Sequence, residues 1–477
     1  MQITSLFFIL ISVISVFVFY LLKAKYRVLF LSVLSGAFIA TYSYNLLVYV
    51  IIYSLINYAI GYKIPNSRFS KFLFLTGIIL NLFQLILLKY VSFTVSPLFE
   101  LLNIEWDLQK ISRIIIPVGV SFFTLQGIGY LVNIKMGWEK PEKNFLHFLL
   151  YITFFPRLLS GPIDRSNHFL PQLKLAQSFD EQRVIKGLKL VLIGLFKKVA
   201  IANQLAPIVI GTYANLNSSD KYSLWIVMLL QPLYLYFDFS GYTDIAFGIA
   251  RSFGIELRPN FNRPFLAENM TNFWKRFHIS LSSWFQDYVF MRVVFKYRKW
   301  GRNASTLALF VTWLLFGIWH GAGWTFMLLG LLQGIAVYYE FTTKKWRIKF
   351  FSRMPELPRK WIGRVSTYLF YGASLVFFFA PDLNSVSIFY TKLFQTDGLI
   401  PGGIRQEVFI MVMIFVIIFM VFEILKNDFS NFYSRIEAFW IRNSMKNRIF
   451  RWALYFCLIT ILLILNKEVQ EFIYFQF

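Results

Sequence analysis

Apolar runs of membrane-spanning length recur along the whole chain, separated by short polar loops in which lysine and arginine predominate. The first run, from Ile3 to Leu22, contains Ser12 and Ser15 and has no small-residue cleavage pattern behind it, so it reads as a first membrane helix rather than a removable leader. Basic clusters at 23–27, 63–71, 135–143, 157–198, 251–302, 344–364 and 426–451 mark the loops expected in the cytoplasm. Glu100, Glu105, Asp107, Asp382 and Asp397 fall in the alternating loops and are expected outside, as are both termini. One crossing per run, and two where a long run joins two basic loops, predicts about 11 to 13 transmembrane helices.

Two basic stretches, 157–198 and 251–302, break the pattern. They mix aromatics, prolines and amphipathic pieces and read neither as clean spans nor as soluble domains. Irregular backbone at membrane depth persists only when it is buried in protein or lines a wet cavity, so re-entrant and interfacial segments are expected there. Pro355 and Pro358 predict a cytoplasmic link before the last three spans. Gly398, Pro401, Gly402 and Gly403 predict an external turn between them. Those last spans carry few intramembrane polar residues. No heptad array, solenoid period or low-complexity tract divides the chain. The organisation expected is therefore one integral-membrane domain over 1–477, with a core at 110–340 and peripheral helices at 344–477.

Composition agrees with the pattern. Of 477 residues, 57% are hydrophobic and 15% charged, against about 25% charged in soluble domains. The formal charge of +24 would suggest nucleic acid in a soluble protein. Here the basic residues sit in loops between apolar runs, so no nucleic-acid partner is expected and anionic headgroups of the bilayer are the nearer one. The single cysteine, Cys457, excludes an internal disulfide and a multi-cysteine zinc site.

Candidate chemistry is scarce, with four histidines in all. His320 lies in FGIWHGAGWTF, inside an apolar stretch from about Ser305 to Tyr339 that leaves and returns to basic loops at Arg302 and Lys344. That arrangement predicts a helical hairpin with His320 near its middle. An ionisable group at such depth marks a cavity or pathway, or else a neutral imidazole bonded across a helix interface, where Gly317, Gly321 and Gly323 permit close packing. His278 lies in a segment from Asn272 to Tyr288 where Trp274, His278 and Leu281 recur at helical spacing. The expected form is an amphipathic helix with a basic shoulder at Lys275 and Arg276, which by itself is an interfacial anchor. Asp238 and Asp244 could form a proton relay. The plainer reading is structural: they hold the basic residues of 251–276, or cap a helix break at Ser240 and Gly241. His147 and His168 read as ordinary polar residues near basic loops. No histidine pair has metal spacing, no phosphate-cradling loop appears, and no Gly-x-Ser-x-Gly elbow is present.

Four stretches, in order, carry a resemblance: residues 116–126 (IPVGVSFFTLQ), 151–163 (YITFFPRLLSGPI), 236–246 (YFDFSGYTDIA) running on to 260–265 (NFNRPF) and His278, and 317–324 (GIWHGAGW). Together they resemble the membrane-bound O-acyltransferase (MBOAT) family, in its bacterial branch that includes the membrane subunit of alginate O-acetylation and the D-alanyl transferase of teichoic acids. Gln286 stands where the alginate branch usually has Arg, whereas Asp287 to Arg292 looks closer to the D-alanyl branch.

The resemblance implies tilted helices around a central funnel or tunnel. It also implies that His320 matches the family's membrane-embedded histidine and His278 its second polar position. A neutral imidazole buried beside a tunnel is also a good general base, so the resemblance implies catalysis by His320 and His278. Trp319, Trp324, Trp284, Asp287, Arg276, Asp238 and Asp244 are the expected substrate-binding positions. The three tryptophans would be apolar walls against water.

The reaction implied moves an acyl group, acetyl in the first instance, from a cytoplasmic thioester to a hydroxyl of a cell-envelope polysaccharide or to an exported partner. D-Alanyl transfer to teichoic acid and proton-coupled transport or export are the alternatives. No bound cofactor or metal is expected. The donor would be acetyl-CoA or an acyl carrier protein, the partner a periplasmic or extracellular SGNH-like acyltransferase, and the location the bacterial plasma membrane.

Overall fold

The computed structural model describes residues 3–90, 119–395, 406–441 and 444–465. Among these the regular structure is helical, and the one β-type contact is an isolated bridge between Phe261 and Phe277. Among the described residues seven helices have the length and apolarity to cross a bilayer: Tyr44–Lys63, Ser70–Tyr90, Lys221–Ser252, Arg302–His320, Glu356–Phe379, Phe409–Asp428 and Met445–Leu465. The chain is an all-α, multi-pass membrane protein.

The count from hydropathy, about 11 to 13, took in shorter pieces as well. Leu6–Leu21 and Val120–Lys135 have 16 residues each and Ala24–Ala40 has 17, below the roughly 20 needed for an upright crossing. Glu100, Glu105, Asp107, Asp397, the turn at Gly398, Pro401, Gly402 and Gly403, and residues 116–118 of the first motif lie outside the described residues.

The helix Lys221–Ser252 is the axis of the fold, with 83% of its most apolar window buried. It runs unbroken through Ser240 and Gly241, where a break was one expectation. Glycine does something else there. A Cβ on Gly241 would lie 2.8 Å from the Gly194 carbonyl oxygen, and one on Gly248 would lie 2.4 Å from that of Gly187. Two glycine pairs at the same seven-residue spacing thus let Glu181–Leu195 lie directly on the axial helix, the close backbone approach by which helices associate in lipid.

Beyond that contact the backbone loosens into a π turn, Phe196–Ala202, which turns Lys197 and Lys198 inward. Lys197 Nζ bonds Asp244 at 2.7 Å, and Lys198 bonds the fully buried Asp238. The acids therefore hold lysines from an earlier helix, not the basic residues of 251–276.

The 344–477 region does not form one peripheral layer. None of the apolar window of Met445–Leu465 is buried, but Glu356–Phe379 packs inward with Arg364, Thr367, Tyr371 and Phe378 buried. Arg364 also reaches Asp428 through paired bonds of 2.6 and 2.8 Å, fixing this helix to Phe409–Asp428.

Candidate active site

The apolar stretch around His320 folds as the expected hairpin, Arg302–His320 and Trp324–Phe351, turned by Gly321 to Gly323. His320 is the last residue of the first helix, roughly 27 Å along its axis from Arg302 at 1.5 Å per residue. The two helices touch where Gly317 faces Gly330: a Cβ on either would come within 2.2 Å of a carbonyl oxygen of the opposite helix. That close approach sets Phe316, His320, Leu329 and Gln333 on one inward face.

His278 arrives by a different route. The segment expected as one amphipathic helix is divided into Met270–Trp274 and Ile279–Phe285, with His278 at the division in the left-handed region, φ 46° and ψ 51°. Only a few per cent of non-glycine residues adopt such a backbone, so its neighbours must impose it. The Asn260 carbonyl accepts the Ile279 N–H at 2.9 Å, the Arg276 carbonyl accepts the Asn262 N–H at 2.9 Å, and Phe261 and Phe277 form the β bridge between them. On the hairpin side, the Glu340 carboxylate accepts the N–H groups of Met270 at 2.6 Å and Thr271 at 2.9 Å.

Ser280, two residues on, ties the second and third motifs together. Its hydroxyl donates to Asn260 Oδ1 at 2.5 Å and accepts the Ile163 N–H at 3.0 Å. The first motif closes over the same region: Gly119, at φ +73°, has the Leu158 carbonyl oxygen 2.6 Å from where a Cβ would stand, and Phe122 stacks edge-on to Trp319 at 5.4 Å. Stretches scattered from residue 119 to 324 thus converge on one place.

That place is a small cavity lined by Leu235, Trp274, His278, Phe316, His320 and Gln333, among others, with about 20 Å³ open to the centre of a water molecule. This is enough to hold a water. His278 is 1% exposed and His320 7%. Trp319 is near both, its ring 6.0 Å from that of His278 and 4.9 Å from that of His320. Phe239 meets the His278 ring edge-on at 4.6 Å. A neutral imidazole suits such surroundings.

The other predicted positions divide. Trp319 lies beside both histidine rings but is not among the residues lining the cavity. Trp324 is 62% exposed and points away from the cavity lining. Trp284 is buried elsewhere, donating to the Leu125 carbonyl at 2.9 Å. Asp287 pairs with Arg165 at 3.2 Å on a half-exposed surface. Arg276 lies beside the Arg263 carbonyl at 3.5 Å, outside the lining.

Asp238 and Asp244 are occupied by Lys198 and Lys197. Leu235 and Phe239 of the same helix face the site instead. The Glu356–Phe379 helix, expected at the periphery, contributes Tyr371, Leu375 and Phe378 to the lining.

Three further residues escaped the sequence reading. Gln333 accepts from Trp274 Nε1 at 3.2 Å and donates to Ser374 Oγ at 2.8 Å, which orients its amide at the cavity wall. Lys89 and Tyr90 lie in a π turn, Ile86–Tyr90, at the end of a distant helix. Lys89 Nζ donates to the carbonyls of Trp319 at 2.9 Å and His320 at 3.0 Å, and the Tyr90 hydroxyl donates to that of Ile318 at 2.9 Å. In hydropathy Lys89 looks like a charge flanking an apolar run, and its target is visible only in three dimensions.

Comparison with known proteins decides the family. The model of the membrane-bound O-acyltransferase family matches residues 140–381. The chain belongs to the membrane-bound O-acyltransferase family. It is an acyltransferase, and the transporter alternative is set aside. The match runs on to residue 381 and so takes in the Glu356–Phe379 helix that lines the cavity.

Relatives include a probable alginate O-acetylase of Pseudomonas aeruginosa, 30% identical over 79% of this chain and 71% of that protein. A peptidoglycan O-acetyltransferase of Helicobacter pylori is 32% identical over 69% of this chain and 66% of its own. A teichoic acid D-alanyltransferase of Bacillus subtilis is 32% identical over 49% of this chain and 61% of its own.

Proposed function

We propose that this O-acyltransferase moves a small acyl group, acetyl in the first instance, from a thioester on the cytoplasmic side to a hydroxyl of a cell-envelope polysaccharide or of an exported partner. His320 is the general base. The observation that carries the reading is that His278 and His320, 42 residues apart in sequence, line one cavity whose other walls are largely aromatic and aliphatic.

In this scheme the imidazole of His320 takes the proton of the acceptor hydroxyl. The oxygen forms a bond to the thioester carbonyl carbon, the C–S bond breaks, and the departing thiolate receives the proton from the imidazolium. A positioned base contributes about 10²- to 10⁴-fold. His278 is held in a strained backbone beside the same cavity and acts with His320 on the acceptor or on the carbonyl oxygen. Trp319, in ring contact with His320 and near His278, keeps water from the thioester.

Acetyl is placed first because the alginate and peptidoglycan relatives are named for O-acetylation and match more of the chain. D-Alanyl transfer to teichoic acid is the second reading, carried by the Bacillus subtilis relative. The donor is acetyl-CoA or a carrier-protein thioester, and the location is the bacterial plasma membrane. An external SGNH-like acyltransferase is the expected partner in the acetyl case.

The test uses His320→Ala in cells where it is the sole copy and still inserts at wild-type levels. Ester-linked acetate and ester-linked D-alanine are released from the envelope by mild alkali and measured. Loss of one of the two supports the base and names the acyl group. Wild-type ester content removes the reading.

A further inference from the structure

The helix that carries His320 ends inside the protein. Its last residue is His320 itself, and Gly321 leaves in an extended conformation at φ −165° and ψ 161°. A helix leaves its last four carbonyls without partners of its own, and inside a bilayer there is no bulk water to receive them. Three of those carbonyls, at Ile318, Trp319 and His320, are met by two consecutive side chains from a helix more than two hundred positions earlier. Lys89 Nζ donates to Trp319 at 2.9 Å and His320 at 3.0 Å, and the Tyr90 hydroxyl donates to Ile318 at 2.9 Å and Trp319 at 3.3 Å.

The delivery depends on a change of winding. Ser70–Leu85 passes into the π turn Ile86–Tyr90, and widening a helix by one residue redirects the side chains that follow. The ammonium also complements the negative end of the helix it caps. Lys89 does not line the cavity between the two histidines, so it touches neither imidazole's working face.

We infer that Lys89, with Tyr90, is a positioning residue for the reaction: it clamps the C-terminal carbonyls of the Arg302–His320 helix and so fixes where the His320 imidazole stands. The inference rests on the general-base reading of His320. Its consequence is that the amino-terminal helices are part of the catalytic apparatus. The family match begins only at residue 140.

The experiment measures ester-linked acetate and D-alanine in the envelope per unit of membrane-inserted, monodisperse protein, with each variant as the sole copy. Lys89→Met keeps the length and removes the donors, whereas Lys89→Arg keeps a cation able to serve two carbonyls. Lys89→Met is expected to reduce the normalised acyl content roughly 10- to 100-fold, the scale on which a misplacement of about 1 Å acts. Lys89→Arg is expected to restore most of it.

A merely structural lysine would lower the amount of inserted protein and leave the normalised value unchanged, which overturns the inference. Equal failure of Lys89→Arg and Lys89→Met overturns it as well. If Lys89→Met does not insert, Tyr90→Phe takes its place, since it removes only the hydroxyl that serves Ile318 and Trp319. A several-fold normalised loss then supports the clamp, and wild-type acylation overturns it. His320→Ala separates the two layers: an active His320→Ala overturns both, and an inactive one beside a fully active Lys89→Met overturns the clamp alone.

Discussion

Gly317 and Gly330 meet with no side chain between them, so that a Cβ added to Gly317 would stand 3.1 Å from the Gly330 Cα and 2.2 Å from the Phe326 carbonyl oxygen. The hairpin that presents His320 is set by this contact. Backbone cannot yield as a flexible side chain can. Gly317→Ala is therefore expected to destabilise the protein by about 1–3 kcal/mol, the usual penalty of overpacking, and to lower acylation by moving His320. Thermal unfolding in detergent checks it, and an unchanged midpoint with full acylation would refute it.

The left-handed backbone at His278 gives a second prediction. Both His278→Ala and His278→Gly remove the imidazole, but only glycine also removes the steric penalty of φ 46°. His278→Gly should be more stable than His278→Ala by about 1–2 kcal/mol, while both lose most activity. If alanine proves as stable as glycine, the strain assigned here is absent.

The buried pair of Lys198 and Asp238 is expected to behave as a structural unit. Asp238→Asn leaves a buried ammonium beside a neutral amide, and breaking such a pair typically costs about 3–5 kcal/mol. The double change Lys198→Met with Asp238→Leu removes both charges and should recover much of that loss and retain acylation. An inactive but well-folded double variant would reinstate a chemical role for Asp238.

Glu142 predicts a pH effect away from the membrane. Its carboxylate accepts the N–H groups of Lys143 at 2.9 Å and Asn144 at 3.0 Å and pairs with Lys174 at 2.8 Å. Burial works to raise its pKa, but the bonds from Lys174 and the Asn144 amide outweigh it and hold the group below its ordinary 4.5. A depressed carboxyl contributes its full stability above the unfolded value and loses it as pH falls through the folded one. Glu142→Gln should therefore melt below the wild type at neutral pH, and the two should converge below 4.5. A gap that stays constant from about pH 7 to about pH 4 contradicts the assignment.

Much of the site was visible in the residues. His320 stood out because an imidazole inside a long apolar run is rare, and the basic loops at Arg302 and Lys344 required a hairpin. Type and motif single out His278, but not its setting. The spacing of Trp274, His278 and Leu281 fits a continuous helix, and only the bridge from Phe261 to Phe277 interrupts it. Trp324 and Trp284 show the converse: aromatic residues near a motif are cheap to nominate, and their direction depends on packing that one strand of sequence does not contain.

The sequence by itself determined that this chain lives in a bilayer, is helical and places an ionisable ring among apolar residues, because hydropathy and length act locally and leave few alternatives in lipid. Its ordered motifs pointed to acyl transfer. Only the tertiary structure decided which groups meet: that Asp238 and Asp244 hold Lys198 and Lys197, that Glu356–Phe379 lines the cavity, and that Lys89 reaches the end of the His320 helix. Each of these joins residues from separate helices through a glycine contact, a π turn or a buried bond, and no periodicity along the chain encodes the partner on the other side.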